Sequence, residues 1–353
     1  MDVKEGFSEF LKNKILTVSI LMISVFLMLS IFAYLLVFDN TPNANNQFSE
    51  IALKDPGFNS KFIIIPNKSK VNTGYFEGMV TGFPSQCEYI FYKNANQKAS
   101  DLILQLHNGR EKILSSTQYV DLSNKHLVGE HTFLLGTDKY GRDIFSRVIL
   151  GIRVSIFVGL LAVLVSLSIG ITLGLMGGYF GKWIDGFVQY FINVTWAIPT
   201  LLLVFAIVLL FGSGLGVIFF AVGLTMWVDV ARIVRGETLR IKEENYVQSA
   251  ISLGYKWPNI VFKQILPNLI GPILVIAAAN FATAILVEAG LSFLGFGIKP
   301  PAPSLGNILN EHYAYAMTGR YSLAMVPAIV IMLLVLSFNL LGSGLRDYFD
   351  VKK

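Results

Sequence analysis

Long apolar stretches alternate with short polar ones along this chain. Six of them, 15–38, 154–176, 187–210, 215–228, 271–297 and 323–345, carry no charge except Glu288. About 20 apolar residues cross a bilayer as a helix, so five stretches predict complete spans. The fourth is short and needs residues from 229–234 to finish its crossing. The pattern therefore predicts an all-α integral membrane protein of about six transmembrane helices. The first stretch is too long for a signal-peptide core and small cleavage-site residues do not follow it, which predicts an uncleaved anchor with the N-terminus inside.

Two polar regions interrupt this pattern. In 235–268, Tyr246, Val247, Ala250 and Ile251 fall at helical spacing, Gly254 suits a left-handed helix stop, and Pro258 suits a restart. That segment predicts two short surface helices joined by a tight turn. In 39–134 the runs KFIII, CEYIFY, LILQL and TQYVDL, separated by Asn, Gly, Ser and Pro, predict strands and a small β-rich insertion after a first unit of 1–38. The insertion either caps the outer face or takes part in substrate delivery. Cys87 is the single cysteine, so no internal disulfide forms.

Composition excludes a soluble core, with 54% hydrophobic and 14% charged residues. Basic residues of short loops set the orientation. Lys4, Lys12 and Lys14 precede the first span, Lys182 separates the second and third, and Arg232, Arg235, Arg240, Lys242, Lys256 and Lys263 separate the fourth and fifth. With Arg346, Lys352 and Lys353 at the end, they place both termini in the cytoplasm. Lys139, Arg142, Arg147 and Arg153 run against this, on the expected outer side, partly neutralised by Asp138 and Asp143. The net charge of +5 follows from topology and calls for a lipid bilayer, not a nucleic-acid partner.

Catalytic motifs fail on inspection. Gly181-Lys182 lacks a P-loop's first glycine, with Met176 there, and its Ser/Thr, with Trp183 there. His126, Glu130 and His131 miss the HExxH and HxxEH spacings, so no metal site is expected. Gly212, Gly214 and Gly216 fit a tight turn between spans. A chain that moves a solute without an energy-converting site of its own needs a partner.

Four strings then carry a resemblance: GTDKYGRDIFSRVILGIRVS at 136–155, GGYFGKWID at 177–185, YVQSAISLG at 246–254 with ILPN following, and EAGLSFLGFGIKPPAPSLG at 288–306. In this order they resemble the C-type permease of dipeptide, oligopeptide and nickel ABC importers, with 135–350 as the permease core and 235–268 as the EAA-type coupling loop. The resemblance implies one half of a heterodimeric pore in a bacterial cytoplasmic membrane. It also implies one or two ABC ATPase subunits that hold ATP and Mg, and an extracytoplasmic binding protein. The chain itself would bind no cofactor and catalyse nothing. Peptides are the expected cargo; nickel chelates and oligosaccharides share the machinery. Gln248, Ala250, Ile251, Leu253, Gly254, Tyr255 and Lys256 become the candidates for ATPase contact, and rigid-body movement would pass through them. The family's acidic residue followed by two alanines is here Gln248-Ser249-Ala250, which removes any salt bridge from that carboxylate.

Outside the second span, Asp138, Gly141, Arg142 and Asp143 suit an ion-paired cap that either steadies the entrance helix or holds the gate or partner permease. Within the apolar stretches each polar residue is a functional candidate. Glu288 is expected toward the outer end of its span, bonding backbone groups there or touching substrate. Asn280, on a run of small residues, either lines the path or packs a seam; Asn193, Ser337 and Asn339 are weaker candidates. A rival reading as an intramembrane enzyme would need Glu288 and Asp229 together, but the expected topology sets them at opposite ends of the membrane. An ion-coupled secondary transporter would want midplane ionisable groups and internal repeats, which are not evident.

Overall fold

The computed structural model describes residues 13–66, 74–85, 87–98, 101–114 and 128–350. Its helices of seven or more residues are α1 (Lys14–Ile31), α2 (Tyr75–Thr81), α3 (Ile144–Phe180), α4 (Lys182–Trp196), α5 (Thr200–Phe211), α6 (Leu215–Lys242), α7 (Asn245–Ser252), α8 (Trp257–Phe293), α9 (Leu305–Ala316) and α10 (Ser322–Asp350). Five are long and apolar enough to cross a membrane, namely α1, α3, α6, α8 and α10; counting α4 and α5 as one broken span makes six. The short fourth stretch is completed by α6, which runs on to Lys242.

Two expectations change. The third stretch is not a straight span, because α4 and α5 meet at 87°. Pro199 has no N–H to continue the ladder and disfavours helical backbone at Ile198, so the chain turns there. The second short helix after Gly254 is instead the start of α8, which passes through a widened π turn at Val261–Ile265. Pro267 cannot donate to the carbonyl four residues back, at Lys263, which accounts for a widened turn at that point.

The chain divides into two compact units. One holds 155–299 with residues up to 27 and from 329 onward. Its seam between α3 and α6 is set by glycine: a Cβ on Gly170, Gly174 or Gly178 would lie 2.5, 2.8 and 2.6 Å from Val230, Ala231 and Thr238. Small residues one helical turn apart let the two backbones approach closely. Further along, Phe281 stacks on Phe338 with ring centroids 3.9 Å apart.

The other unit holds 28–154 and 300–328. β1 (Phe58–Pro66) pairs antiparallel with β2 (Cys87–Tyr92) and β6 (Val128–Phe133), and β3 (Asn94–Lys98), β4 (Asp101–Gln105) and β5 (Glu111–Leu114) form a second antiparallel sheet. KFIII, CEYIFY and LILQL are thus strands, while TQYVDL lies outside the described residues. Alternation gives β1 two apolar faces. Ile63 joins Ile90, Leu104 and Leu114 on one side, and Phe62 packs against the cluster of Phe48, Ile51, Phe91 and Phe133 on the other. Glu130 and His131 are adjacent on β6 and point to opposite faces. Glu130 accepts from Asn59, whereas His131 stacks on Phe38 at 3.9 Å; His126 lies outside the described residues.

Candidate functional site

The segment between α6 and α8 is a compact projection with an apolar root. Val247 and Ala250 of α7 are buried with Ile241, Ile260, Val261 and Ile265. Leu253 and Gly254 end the helix in a Schellman turn: Tyr255 N–H donates to the Ala250 carbonyl at 3.1 Å and Gly254 N–H to the Ile251 carbonyl at 3.0 Å. Gly254 has φ +77° with open space around it, so backbone conformation alone demands glycine there. Gln248, Leu253, Gly254, Tyr255 and Lys256 are exposed, as is Ile251. Leu253 is 76% exposed. Ala250, only 4% exposed, is the exception among the seven candidates: it roots the projection and offers no outer surface. Gln248 Nε2 donates to the Lys242 carbonyl at 2.8 Å, fastening α7 to the end of α6 as an ionised carboxylate could not. Trp257, half-exposed beside Tyr255 and 5.6 Å from the Phe180 ring, belongs to the same surface and was missed because it reads as an ordinary interfacial aromatic.

The GTDKYGRD segment folds into a charged cluster that is almost wholly buried. Asp138 Oδ1 accepts from the N–H groups of Tyr140 and Arg142 at 2.8 and 2.9 Å, which closes the turn. Gly141 has φ +76°, and a Cβ there would sit 1.9 Å from the Phe48 carbonyl oxygen. Asp143 caps α3, accepting from Phe145 N–H at 3.2 Å and Ser146 N–H at 3.1 Å. Burial pushes its carboxyl pKa up, against the hydrogen bonds from Ser146 that pull it down. Arg142 donates Nε to Asp138 at 2.5 Å, Nη1 to Asn45 at 3.1 Å and Nη2 to Glu311. Arg147 reaches Glu311 at 3.8 Å.

His312 completes this cluster. Its Nδ1 lies 2.6 Å from the Ile308 carbonyl, which can only accept, so that nitrogen carries the proton and Nε2 faces Asp138 at 3.8 Å. Burial holds the imidazole below its usual pKa. Ligand atoms of Asp138, Glu311 and His312 lie within 4.8 Å of one another, as a metal site would require, but Arg142 already sits between the two carboxylates as their cation. Glu311 and His312 escaped sequence reading: nothing in α9 marks a partner 169 residues away. The only trace is His312 at helical spacing from buried Leu305 and Ile308. The cluster also accounts for two of the four basic residues that ran against the charge rule. Arg142 and Arg147 face buried acids, and Arg153 donates to the carbonyls of Met79 and Val80 at the end of α2.

Both intramembrane candidates are packed. Glu288 is fully buried and accepts from Ser155 Oγ at 3.1 Å and Ser292 Oγ at 2.8 Å. Asn280 is buried with Nδ2 3.4 Å from the Met226 carbonyl on α6. Asp229 lies midway along α6, which continues past the apolar stretch to Lys242, and is exposed.

Five or six candidate spans with a short helix projecting between two of them describe a polytopic membrane protein. The chain belongs to the family of binding-protein-dependent transport system inner membrane components, whose model matches residues 170–353. It is 44% identical over 223 residues, 63% of this chain and 73% of the relative, to the glutathione transport system permease protein GsiD of Salmonella paratyphi A. It is 38% identical over 244 residues, 68% of this chain and 79% of the relative, to the dipeptide transport system permease protein DppC of Alkalihalophilus pseudofirmus. Among solved structures, an inward-facing MetNI methionine ABC transporter aligns with a TM-score of 0.47 at 19% identity, covering 59% of this chain and 97% of that one. The protein is a multi-pass membrane permease of an ABC importer, a machine that works with ATPase and binding-protein partners.

Proposed function

We propose that this chain is one half of a heterodimeric pore that imports di- or oligopeptides across a bacterial cytoplasmic membrane. ATP and Mg bind to one or two types of separate ATPase subunit, an extracytoplasmic protein delivers the cargo, and this chain binds no cofactor and catalyses no reaction. The similarity to permeases named for glutathione and dipeptide transport carries the choice of cargo. Both termini lie in the cytoplasm. This orientation is supported by the pairing of Arg142 and Arg147 with acids of the same chain, which offsets two of the four basic residues that opposed it.

In this reading Gln248 steadies α7 from within, and Ile251, Leu253, Tyr255 and Lys256 with Trp257 touch the ATPase. Closure of the ATPases on ATP then moves α6 and α8, which flank the projection, as rigid bodies. Uptake by the full transporter in proteoliposomes tests the cargo. A labelled dipeptide should accumulate with ATP and a binding protein, independent of membrane potential. Accumulation of a nickel chelate or an oligosaccharide in its place would reassign the cargo; uptake driven by potential without ATP would overturn the mechanism.

A further inference from the structure

A cavity of about 120 Å³ opens where α4 breaks into α5, lined by Thr195, Trp196, Thr200 and, from α6, Thr225 and Asp229. Counted from Leu215, Asp229 lies about 21 Å along α6, inside a hydrocarbon layer of about 30 Å. Its side chain is exposed in the protomer. An ionisable group at that depth does not face lipid; it faces a water-filled passage or another subunit. Its polar neighbours are the Trp196 indole and the Arg232 guanidinium. That guanidinium lies over the Trp196 ring, 3.5 Å from its centroid. The last turn of α4 lines the same cavity, and a helix C-terminus carries partial negative charge. Carboxylate and helix end together favour a cation, and Arg232 beside them supplies the opposite charge. The group thus matches a zwitterion better than a bare metal ion.

We propose that Asp229 is a cargo-contact residue of the translocation path, its carboxylate taking the α-ammonium of a zwitterionic peptide in passage. The inference rests on the peptide-import reading. It is tested in the complete reconstituted transporter after Cys87→Ser has removed the chain's one cysteine. With Asp229→Cys added, a cationic methanethiosulfonate should label this chain from water, and a saturating dipeptide delivered with ATP by the binding protein should slow labelling at least fivefold. Separately, Asp229→Asn should lower kcat/KM for dipeptide uptake about tenfold, the loss of one charge-assisted hydrogen bond, while Asp229→Glu retains most of it. Dipeptide uptake by the unsubstituted transporter, with an unlabelled Cys in a correctly assembled complex or with full activity in Asp229→Asn, overturns the contact alone. No dipeptide uptake by the unsubstituted transporter sinks the import reading and the ammonium contact together.

Discussion

The α7 projection and the Asp138–Arg142–Glu311 cluster invert the usual arrangement of a folded chain in opposite senses. The projection turns Leu253, Tyr255 and Trp257 outward, whereas the cluster turns two arginines, two acids and a histidine inward. Apolar surface left in water is unfavourable unless a partner covers it, and a buried charge is unfavourable unless a counter-charge meets it. On the proposed reading the two inversions are compensated differently: by the ATPase in the first case, by residues of the same chain in the second. Changes in the projection should spare the fold and uncouple transport. Changes in the cluster should do the reverse.

The strongest blow to that contrast should come from Glu311→Ala. It leaves Arg142 and Arg147 buried without their shared acid, and loss of one partner of a buried pair costs about 3–5 kcal/mol. Thermal melting of the purified assembly should drop accordingly; an unchanged melting temperature would show that the cluster is not structural. Next, Leu253→Asp should lower ATPase affinity by about 2 kcal/mol, roughly thirtyfold, as at an interface hot spot, without moving the melting temperature. Co-purification of the ATPase subunits reads this directly. Equal recovery with the variant would remove Leu253 from the contact.

Gly254→Val tests the turn more gently. A β-branched residue at φ +77° should cost about 1–2 kcal/mol locally, and Gly254→Asn, which tolerates that backbone, should cost much less. Since no neighbour crowds the position, similar losses in both variants would point to lost contact area instead of strain.

The smallest expected effect is a pH dependence at His312. Its folded pKa is depressed by burial, so below about 6.5 the unfolded chain takes up a proton that the folded chain resists. The stability tied to the neutral imidazole is complete above that pH and is lost as pH falls toward the folded value. Melting temperatures measured from pH 7.5 to 5 should therefore fall more steeply for the wild type than for His312→Gln. Parallel curves would contradict it.

Much of this was legible residue by residue. The spans were visible because a bilayer demands an uninterrupted apolar run. Gly254 was visible because a helix stop at positive φ selects glycine, and KFIII, CEYIFY and LILQL because strands select such residues. The break at Pro199 was equally written in the chain but was overridden by the apolar count around it. The charged residues after Asp229 marked the end of the apolar run, not the end of the helix, which continues to Lys242.

The sequence by itself determined the membrane class, the number of crossings to within one and the outline of the projection, since these follow from local periodicity and backbone preference. Only the tertiary structure decided which face of α7 is free, that Gln248 serves Lys242, and that Glu311 is the acid for Arg142 and Arg147. Pairing of that kind depends on distance in space between residues far apart in the chain. A side chain's type limits what it can bond, but only packing settles which partner lies within reach.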